Sequence, residues 1–114
     1  FKIVDSGMHH LIRPALYEGF HEIVPVAEPT GAIESVDVVG PICESGDFFC
    51  QNREVPTFAP GELIALMSAG AYGMVMATTY NSHPLPAEIL VDRNQARIAR
   101  KRQTFQDLVE GEEG

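Results

Sequence analysis

The chain has 114 residues, of which 45% are hydrophobic and 21% charged, values that are typical of one globular domain and exclude a largely disordered segment. Its net charge of −8 disfavours nucleic-acid binding and docking on anionic membranes, since both depend on a basic surface. No apolar run approaches the roughly 20 residues of a membrane span.

In the first half of the chain, hydrophobic alternation and turn residues predict short strands around one short helix. The chain begins at Phe1 inside the first predicted strand, 1–5, so we expect it to be a piece of a longer polypeptide. A helix is predicted over 8–18, and it should be short or kinked because Pro14 lies inside it. Two further strands are expected at 21–26, with an edge proline, and at 33–39, separated by a turn at 28–31.

The second half alternates apolar runs with small or polar segments. The segment 48–60 is mixed in composition and is predicted to be rich in loops, whereas the apolar run 63–67 predicts a buried strand. Thr104 is predicted to cap a terminal helix, with Asp107 in the place of the capping-box glutamate. The other expected elements are a turn at 69–73, a short helix or a strand at 74–79, an irregular stretch at 81–86, and a hairpin of strands 88–92 and 96–99.

Many short strands separated by glycine and proline turns favour a mainly β barrel or sandwich over a doubly wound sheet. We predict one domain over 1–110, followed by an acidic tail at 111–114. Cys43 and Cys50 match neither a disulfide framework nor a zinc motif, and no signal peptide is recognisable. Reduced thiols in a cytoplasmic protein are therefore expected.

The densest cluster of polar residues is CESGD, 43–47, which follows a strand and a Gly-Pro turn. A thiol beside carboxylates on a loop is typical of an acid/base site, although a buried cysteine beside a solvated acidic turn fits the same spacing. The neighbouring negative charges favour the protonated thiol, so Cys43 is predicted to be a proton donor rather than a thiolate nucleophile.

Two further segments carry groups suited to anions. Arg13 and Tyr17 are four residues apart and would share one helix face, where a guanidinium and a phenol suit a carboxylate. Tyr72 lies among small residues that let backbone approach a ligand closely, and its phenol can donate to a phosphate or carboxylate. On spacing alone, a surface arginine packed over a tyrosine and an ordinary turn are the simpler interpretations. The histidines are interpreted as structural rather than metal-binding: His9, His10, His21 and His83.

Taken together, these segments resemble the C-terminal portion of bacterial diaminopimelate decarboxylases, which belong to the fold-III, alanine-racemase-like group of pyridoxal-phosphate enzymes. The matching stretches occur in the family's order over nearly the whole chain: VDSGMHHLIRPALY, HEI, GPICESGDFF, AGAYG, MATTYNSHPLPAEILVD and KRQTFQDLVEGE. One departure is His83, which stands where the family form YNSRP has an arginine. None of the roles implied below depends on that position.

The resemblance implies a homodimeric two-domain enzyme whose sites are shared between subunits. A C-terminal β-barrel or sandwich domain, Greek-key-like and with short helices, would close over an N-terminal (β/α)8 barrel. This chain would be the C-terminal domain, and the lysine that binds pyridoxal 5'-phosphate would lie in the barrel, outside this chain. The implied reaction converts meso-diaminopimelate to L-lysine and CO2, the last step of lysine biosynthesis, and the chain alone is expected to be inactive.

The resemblance also implies a role for each candidate residue. Cys43 would help to protonate the substrate carbon, and Glu44 would hold the distal ammonium group. Arg13 and Tyr17 would hold the distal carboxylate, while Tyr72 would contact the cofactor phosphate and the substrate. Two alternatives stay open: the same domain of an ornithine, arginine or carboxynorspermidine decarboxylase, and a stand-alone binding module without catalytic function.

Overall fold

The structure, a computed structural model, describes residues 1–29 and 31–114. The described chain divides into two compact units, Phe1–Ala77 and Thr78–Gly114. The single domain predicted over 1–110, with a tail at 111–114, stays a prediction. The turn predicted at 28–31 includes Thr30, which lies outside the described residues.

The first unit contains a three-stranded sheet, a strand pair and one short helix. In the sheet, β1 (Lys2–Ile3) runs parallel to β3 (Ile33–Val39), which pairs antiparallel with β4 (Phe48–Pro56). The strand pair consists of β2 (Ile23–Pro25) and β5 (Ile64–Leu66), again antiparallel. Between the first two strands lies α1 (Arg13–Tyr17), and after β5 a 3-10 turn covers Met74–Met76.

The core of this unit lies where the three-stranded sheet, the strand pair and the segment before α1 meet. Its buried members come from all three: Leu11, Ile23, Val38, Phe49, Cys50, Val55 and Phe58. Both β2 and α1 contact β4. This strand therefore supports α1, which carries Arg13 and Tyr17. The mainly β fold with few short helices is thus confirmed.

The prediction that 48–60 is rich in loops is wrong, because β4 occupies Phe48–Pro56. The cause is irregular pairing of β4 with β3 at two places, between Val36 and Val38 and between Val38 and Val39. The first of these is a β-bulge at Asn52, whose φ is 43°. Val38 pairs with Cys50 and Val36 with Arg53, so one residue of β3 faces two residues of β4. The extra residue shifts the inward and outward alternation by one place, which hides the strand from a period-two search.

The other strand predictions agree with the structure more closely. The strand predicted at 33–39 is confirmed without change, and the one at 21–26 is confirmed over Ile23–Pro25. The apolar run 63–67 does form a strand, but its residues Ile64–Leu66 are half-buried and Leu63 is 73% exposed. The prediction of a buried strand there is wrong, since all three residues of β5 are only partly buried.

The second unit contains a hairpin and a terminal helix. Its elements are a 3-10 turn at Tyr80–Ser82, β6 (Glu88–Asp92), β7 (Gln95–Arg100) and α2 (Phe105–Leu108). The predicted hairpin is confirmed, and it turns at Arg93, whose φ is 53°. In the described chain, no helix is long and apolar enough to cross a membrane.

The predicted capping box of α2 is present. The Thr104 hydroxyl accepts from the Asp107 N–H at 3.3 Å, and the Asp107 carboxylate accepts from the Thr104 hydroxyl at 2.7 Å and from the Thr104 N–H. Hydrogen bonds from the Thr104 side chain first, and from its backbone N–H second, lower the pKa of the Asp107 carboxyl below its ordinary value.

We expect a carboxyl ¹³C titration of Asp107 to show a midpoint below that of an ordinary aspartate. Because the folded-state pKa is the lower one, the stabilisation of α2 is complete above the unfolded-state pKa and is lost as the pH falls through the folded-state pKa. The amide chemical shifts of α2 should therefore depend on pH in the acid range, and Asp107→Asn should remove this dependence. An unshifted midpoint in the unsubstituted chain would contradict the capping interaction.

Candidate active-site residues

Arg13 and Tyr17 lie at the two ends of α1 and are joined directly. The Arg13 Nε donates to the Tyr17 hydroxyl at 2.9 Å, and the guanidinium carbon lies 5.6 Å from the centre of the tyrosine ring. The helix begins with Pro14 in its first turn and ends at Glu18 in a left-handed conformation, so it is confined to these residues. The predicted guanidinium–phenol pair is present, with Arg13 half-buried and Tyr17 49% exposed.

Behind this pair lies His21, whose side chain is only 1% exposed. Its Nε2 lies 3.4 Å from Arg13 Nη1, and its Nδ1 lies 2.9 Å from the Met67 carbonyl oxygen. The His21 carbonyl accepts from Arg53 Nη2 at 2.8 Å, and the Arg53 guanidinium stacks over the ring of Phe20. Arg13 on α1 is therefore connected through the imidazole of His21 to the end of β5, and the backbone carbonyl of His21 connects the same residue to β4.

Cys43 and Glu44 lie on the loop between β3 and β4, and both are exposed. The Glu44 Oε1 accepts from the Gly46 N–H at 3.3 Å, and the Glu44 carbonyl accepts from the Asp47 N–H at 3.0 Å. The loop is thus a tight turn that presents the thiol and the carboxylate outward. The alternative of a buried cysteine at position 43 is wrong; the buried thiol belongs to Cys50.

Asp47 anchors this loop from the inside. Its side chain is 5% exposed, and its two oxygens accept from two backbone N–H groups, Met8 at 2.7 Å and Ile42 at 2.6 Å. A Cβ at Gly7 or Gly40 would come within 2.5 Å of this carboxylate, so only glycine fits at both positions. The Cys43–Glu44 loop is consequently fastened to the segment that leads into α1.

Tyr72 lies on the turn predicted at 69–73 and is 61% exposed. Its φ of 59° is left-handed, a conformation that costs a non-glycine residue of order 1 kcal/mol or more and is frequent at binding sites. Gly73 cannot be replaced without movement, because a Cβ there would come 2.2 Å from the Ala69 carbonyl oxygen. The turn therefore holds the phenol out from the surface in a fixed backbone geometry.

The candidate residues occupy three segments of the first unit. Arg13 and Tyr17 contact each other, while Cys43 and Glu44 are neighbours on a second segment, and Tyr72 stands on a third. Sequence reasoning missed the two buried groups behind them, because His21 was interpreted as merely structural and Asp47 as one more acid of the cluster. In the sequence, His21 is marked by the HEI stretch, and Asp47 is marked by Gly7 and Gly40, which lie against its carboxylate. The link between these glycines and Asp47 becomes visible in the structure.

The chain contains two lysines, the type of side chain that binds pyridoxal phosphate covalently. Lys2 Nζ donates to the Phe58 carbonyl at 2.9 Å and pairs with Glu34 at 2.8 Å, so it is already engaged. Lys101, the other lysine, lies in the second unit beyond β7. Among the described residues there is also no cluster of three or more side chains that could hold a metal ion. The exposed phenol of Tyr72 has the chemistry to donate a hydrogen bond to the phosphate group of this cofactor.

Comparison with known proteins identifies the family of this chain. Residues 1–70 match the family described as pyridoxal-dependent decarboxylase, C-terminal sheet domain, and the chain belongs to this family. Within it, the chain is similar to diaminopimelate decarboxylases. It is 46% identical over 113 residues to that of Zymomonas mobilis, covering 99% of this chain and 27% of the relative. It is 44% identical over 110 residues to that of Aquifex aeolicus, covering 96% of this chain and 26% of the relative.

Solved structures lead to the same relatives. The chain matches the diaminopimelate decarboxylase of M. jannaschii in co-complex with L-lysine with a TM-score of 0.92 and 33% identity, covering 98% of this chain and 26% of that one. It matches the Helicobacter pylori enzyme complexed with L-lysine with a TM-score of 0.86 and 41% identity, covering 94% of this chain and 26% of that one. The chain therefore spans about a quarter of the length of the proteins that it resembles.

Proposed function

We propose that this chain serves as the C-terminal domain of a cytoplasmic, pyridoxal-phosphate-dependent diaminopimelate decarboxylase, which converts meso-diaminopimelate to L-lysine and CO2. The observation that carries the proposal is the outward-facing Arg13–Tyr17 pair on α1, since a substrate without a distal carboxylate does not require it. The similarity to diaminopimelate decarboxylases over nearly the whole chain supports the same substrate.

The distal end of the substrate is held by two segments. The guanidinium of Arg13 and the hydroxyl of Tyr17 bind the distal carboxylate, because arginine and a carboxylate form parallel charge-assisted hydrogen bonds. The exposed carboxylate of Glu44 accepts from the distal ammonium group. Together the two contacts require both a carboxylate and an ammonium group at the distal end of the substrate. Ornithine and arginine have no distal carboxylate.

At the reacting end, pyridoxal phosphate supplies an acceptor for the electron pair that is released as CO2 departs. Cys43 Sγ–H donates the proton that takes the place of the carboxylate on the substrate carbon, and the thiolate regains a proton from solvent. The exposed thiol on an outward-facing turn, beside the carboxylate of Glu44, supports this acid role. Tyr72 donates to the cofactor phosphate and contacts the substrate.

The chain acts together with an N-terminal (β/α)8 barrel domain and a second subunit. Several large apolar side chains of the first unit are exposed, among them Phe1 at 87%, Ile3 at 77% and Leu63 at 73%. Exposed apolar groups in such number are typical of a surface that a partner covers. We assign this surface to the barrel domain and the dimer partner, with active sites shared between the subunits.

A chimaera tests the proposal. In it, this chain replaces the matching 113 residues of the Zymomonas mobilis enzyme, to which it is 46% identical. We expect the chimaera to form a dimer, bind pyridoxal phosphate and release CO2 from meso-diaminopimelate. Cys43→Ala should lower kcat about 100-fold, the scale of a lost general acid, whereas the matched variant Cys50→Ala should not.

The chain alone provides the second half of this test. After incubation with pyridoxal phosphate and borohydride, intact mass should show no stoichiometric adduct. An adduct at Lys2 or Lys101 would mean that the chain has a cofactor site of its own, and the domain assignment would then be wrong. A chimaera that binds the cofactor but prefers ornithine or arginine would place the chain in a related decarboxylase, and one without any turnover would favour a non-catalytic module.

A further inference from the structure

His21 is one of the most buried side chains of the described chain, although it is polar. Both of its ring nitrogens face partners of fixed chemistry. The Met67 carbonyl oxygen can only accept, so Nδ1 must carry the proton. The Arg13 guanidinium can only donate, so Nε2 must be the unprotonated acceptor. Only the neutral imidazole protonated on Nδ1 satisfies both contacts.

His21 is held at its ring by the residue after β5 and at its backbone carbonyl by β4. Met67 follows β5, and its N–H donates to the Glu22 carbonyl at 2.8 Å, so the Nδ1 partner belongs to the β2–β5 pair. The His21 carbonyl is fixed by Arg53 of β4. Nε2 is therefore an immobile acceptor at the base of α1.

Arg13, by contrast, extends from a helix of only five residues. So short a helix has little stability of its own, and a free arginine side chain has many rotamers to lose on binding a ligand. Contacts at Nε with Tyr17 and at Nη1 with His21 restrict the guanidinium on two sides. The remaining donors of Nη1 and Nη2 are left to form parallel bonds to an anion.

We propose that His21 is a positioning residue that orients the Arg13 guanidinium for a substrate carboxylate. The proposal rests on the function proposed above, in which Arg13 binds the distal carboxylate. His21 itself does not touch the substrate; it acts through Arg13. Without the contact to His21, Arg13 would bind the same anion more weakly, because the loss of side-chain entropy on binding would reduce the binding free energy.

Two substitutions of His21 test the contacts of the two ring nitrogens separately. His21→Asn keeps a donor near the Nδ1 position, for Met67, but is too short to reach Arg13. His21→Gln places an amide oxygen near the Nε2 position and keeps an acceptor for Arg13. In the chimaeric enzyme, we expect His21→Asn to raise KM for meso-diaminopimelate about tenfold with little change in kcat, and His21→Gln to recover most of that loss.

A double-variant cycle tests whether the effect passes through the arginine. If it does, His21→Asn will add little to KM once Arg13→Ala is present, because the group that it positions is gone. A general destabilisation would instead add its effect in both backgrounds and would be equal for the asparagine and glutamine variants. Additive effects, or equal losses in both variants, would overturn the proposal.

A measurement on the chain alone does not depend on any activity. Long-range ¹H–¹⁵N NMR spectra should show His21 protonated on Nδ1. The Arg13 side-chain resonances should indicate a restricted guanidinium in the unsubstituted chain and in His21→Gln, but rapid averaging in His21→Asn. An Nε2-protonated ring, or an Arg13 side chain that is equally mobile in all three, would overturn the positioning role. If the NMR results are as expected and Arg13→Ala leaves KM unchanged, the substrate assignment fails and the contact between the two residues stands.

Discussion

In the chimaeric enzyme, Arg13→Ala is expected to lower kcat/KM for meso-diaminopimelate about 100-fold, mostly through KM. The substitution removes a pair of charge-assisted hydrogen bonds, and at the lower end of their range the two together contribute about 3 kcal/mol, which corresponds to a loss on the order of 100-fold. It also leaves the distal carboxylate with only the phenol of Tyr17, whose own partner on α1 is lost. The measurement is a steady-state rate of CO2 release over a range of substrate concentrations.

Two matched variants make this result specific. Arg13→Lys keeps the charge but not the planar fork, so it should retain part of the affinity. Arg97→Ala removes an exposed arginine from β7 in the second unit and should leave the kinetics unchanged. If Arg13→Ala and Arg97→Ala behave alike, Arg13 does not bind the substrate, and the assignment of the distal carboxylate to α1 is wrong.

The contact between the candidate residues Arg13 and Tyr17 could be predicted from the sequence because its signal is local. Arg13 and Tyr17 meet across one turn of a helix, so their spacing alone predicts their contact. Thr104 and Asp107 form a capping box for the same reason. In both cases the partners are three or four residues apart, and the geometry of a helix supplies the rest.

The contacts of the buried residues His21 and Asp47 could not be predicted from the sequence, because their partners are distant along the chain. His21 contacts the Met67 carbonyl, 46 residues away, and Asp47 contacts the Met8 N–H, 39 residues away. No local pattern encodes such contacts; they depend on the order in which the strands pair. The bulge at Asn52 had the same effect on β4, since one added residue conceals the alternation that identifies a strand.

This difference bears on how the candidate site is built. Arg13 and the Cys43–Glu44 loop supply the proposed chemistry, and a buried polar side chain holds each of them in place. His21 lies behind Arg13, and Asp47 lies behind the Cys43–Glu44 loop. A chain that kept the exposed residues and lost these two would retain the family's motifs in part and lose the geometry that we assign to them.

Asp47→Ala is expected to be the most destabilising of the substitutions considered. The carboxylate accepts from two backbone N–H groups in a nearly buried position, and each N–H left unpaired costs roughly 1 to 3 kcal/mol. We therefore expect the free energy of unfolding to fall by about 3 kcal/mol, with a lower midpoint in urea denaturation of the chain. Amide exchange should rise at Met8 and Ile42 before it rises in the core.

Asp37→Ala is the matched control. Its carboxylate also accepts a backbone N–H, that of Asn52 at 2.6 Å, but this single bond lies in exposed surroundings at the bulge, where water can replace it. Its loss should cost well under half as much as that of Asp47. In the chimaera, Asp47→Asn should also lower kcat, because a loosened loop no longer holds Cys43 toward the substrate carbon. Equal destabilisation by Asp47→Ala and Asp37→Ala would mean that the loop keeps its shape without this anchor, and Cys43 would then owe its placement to the strands alone.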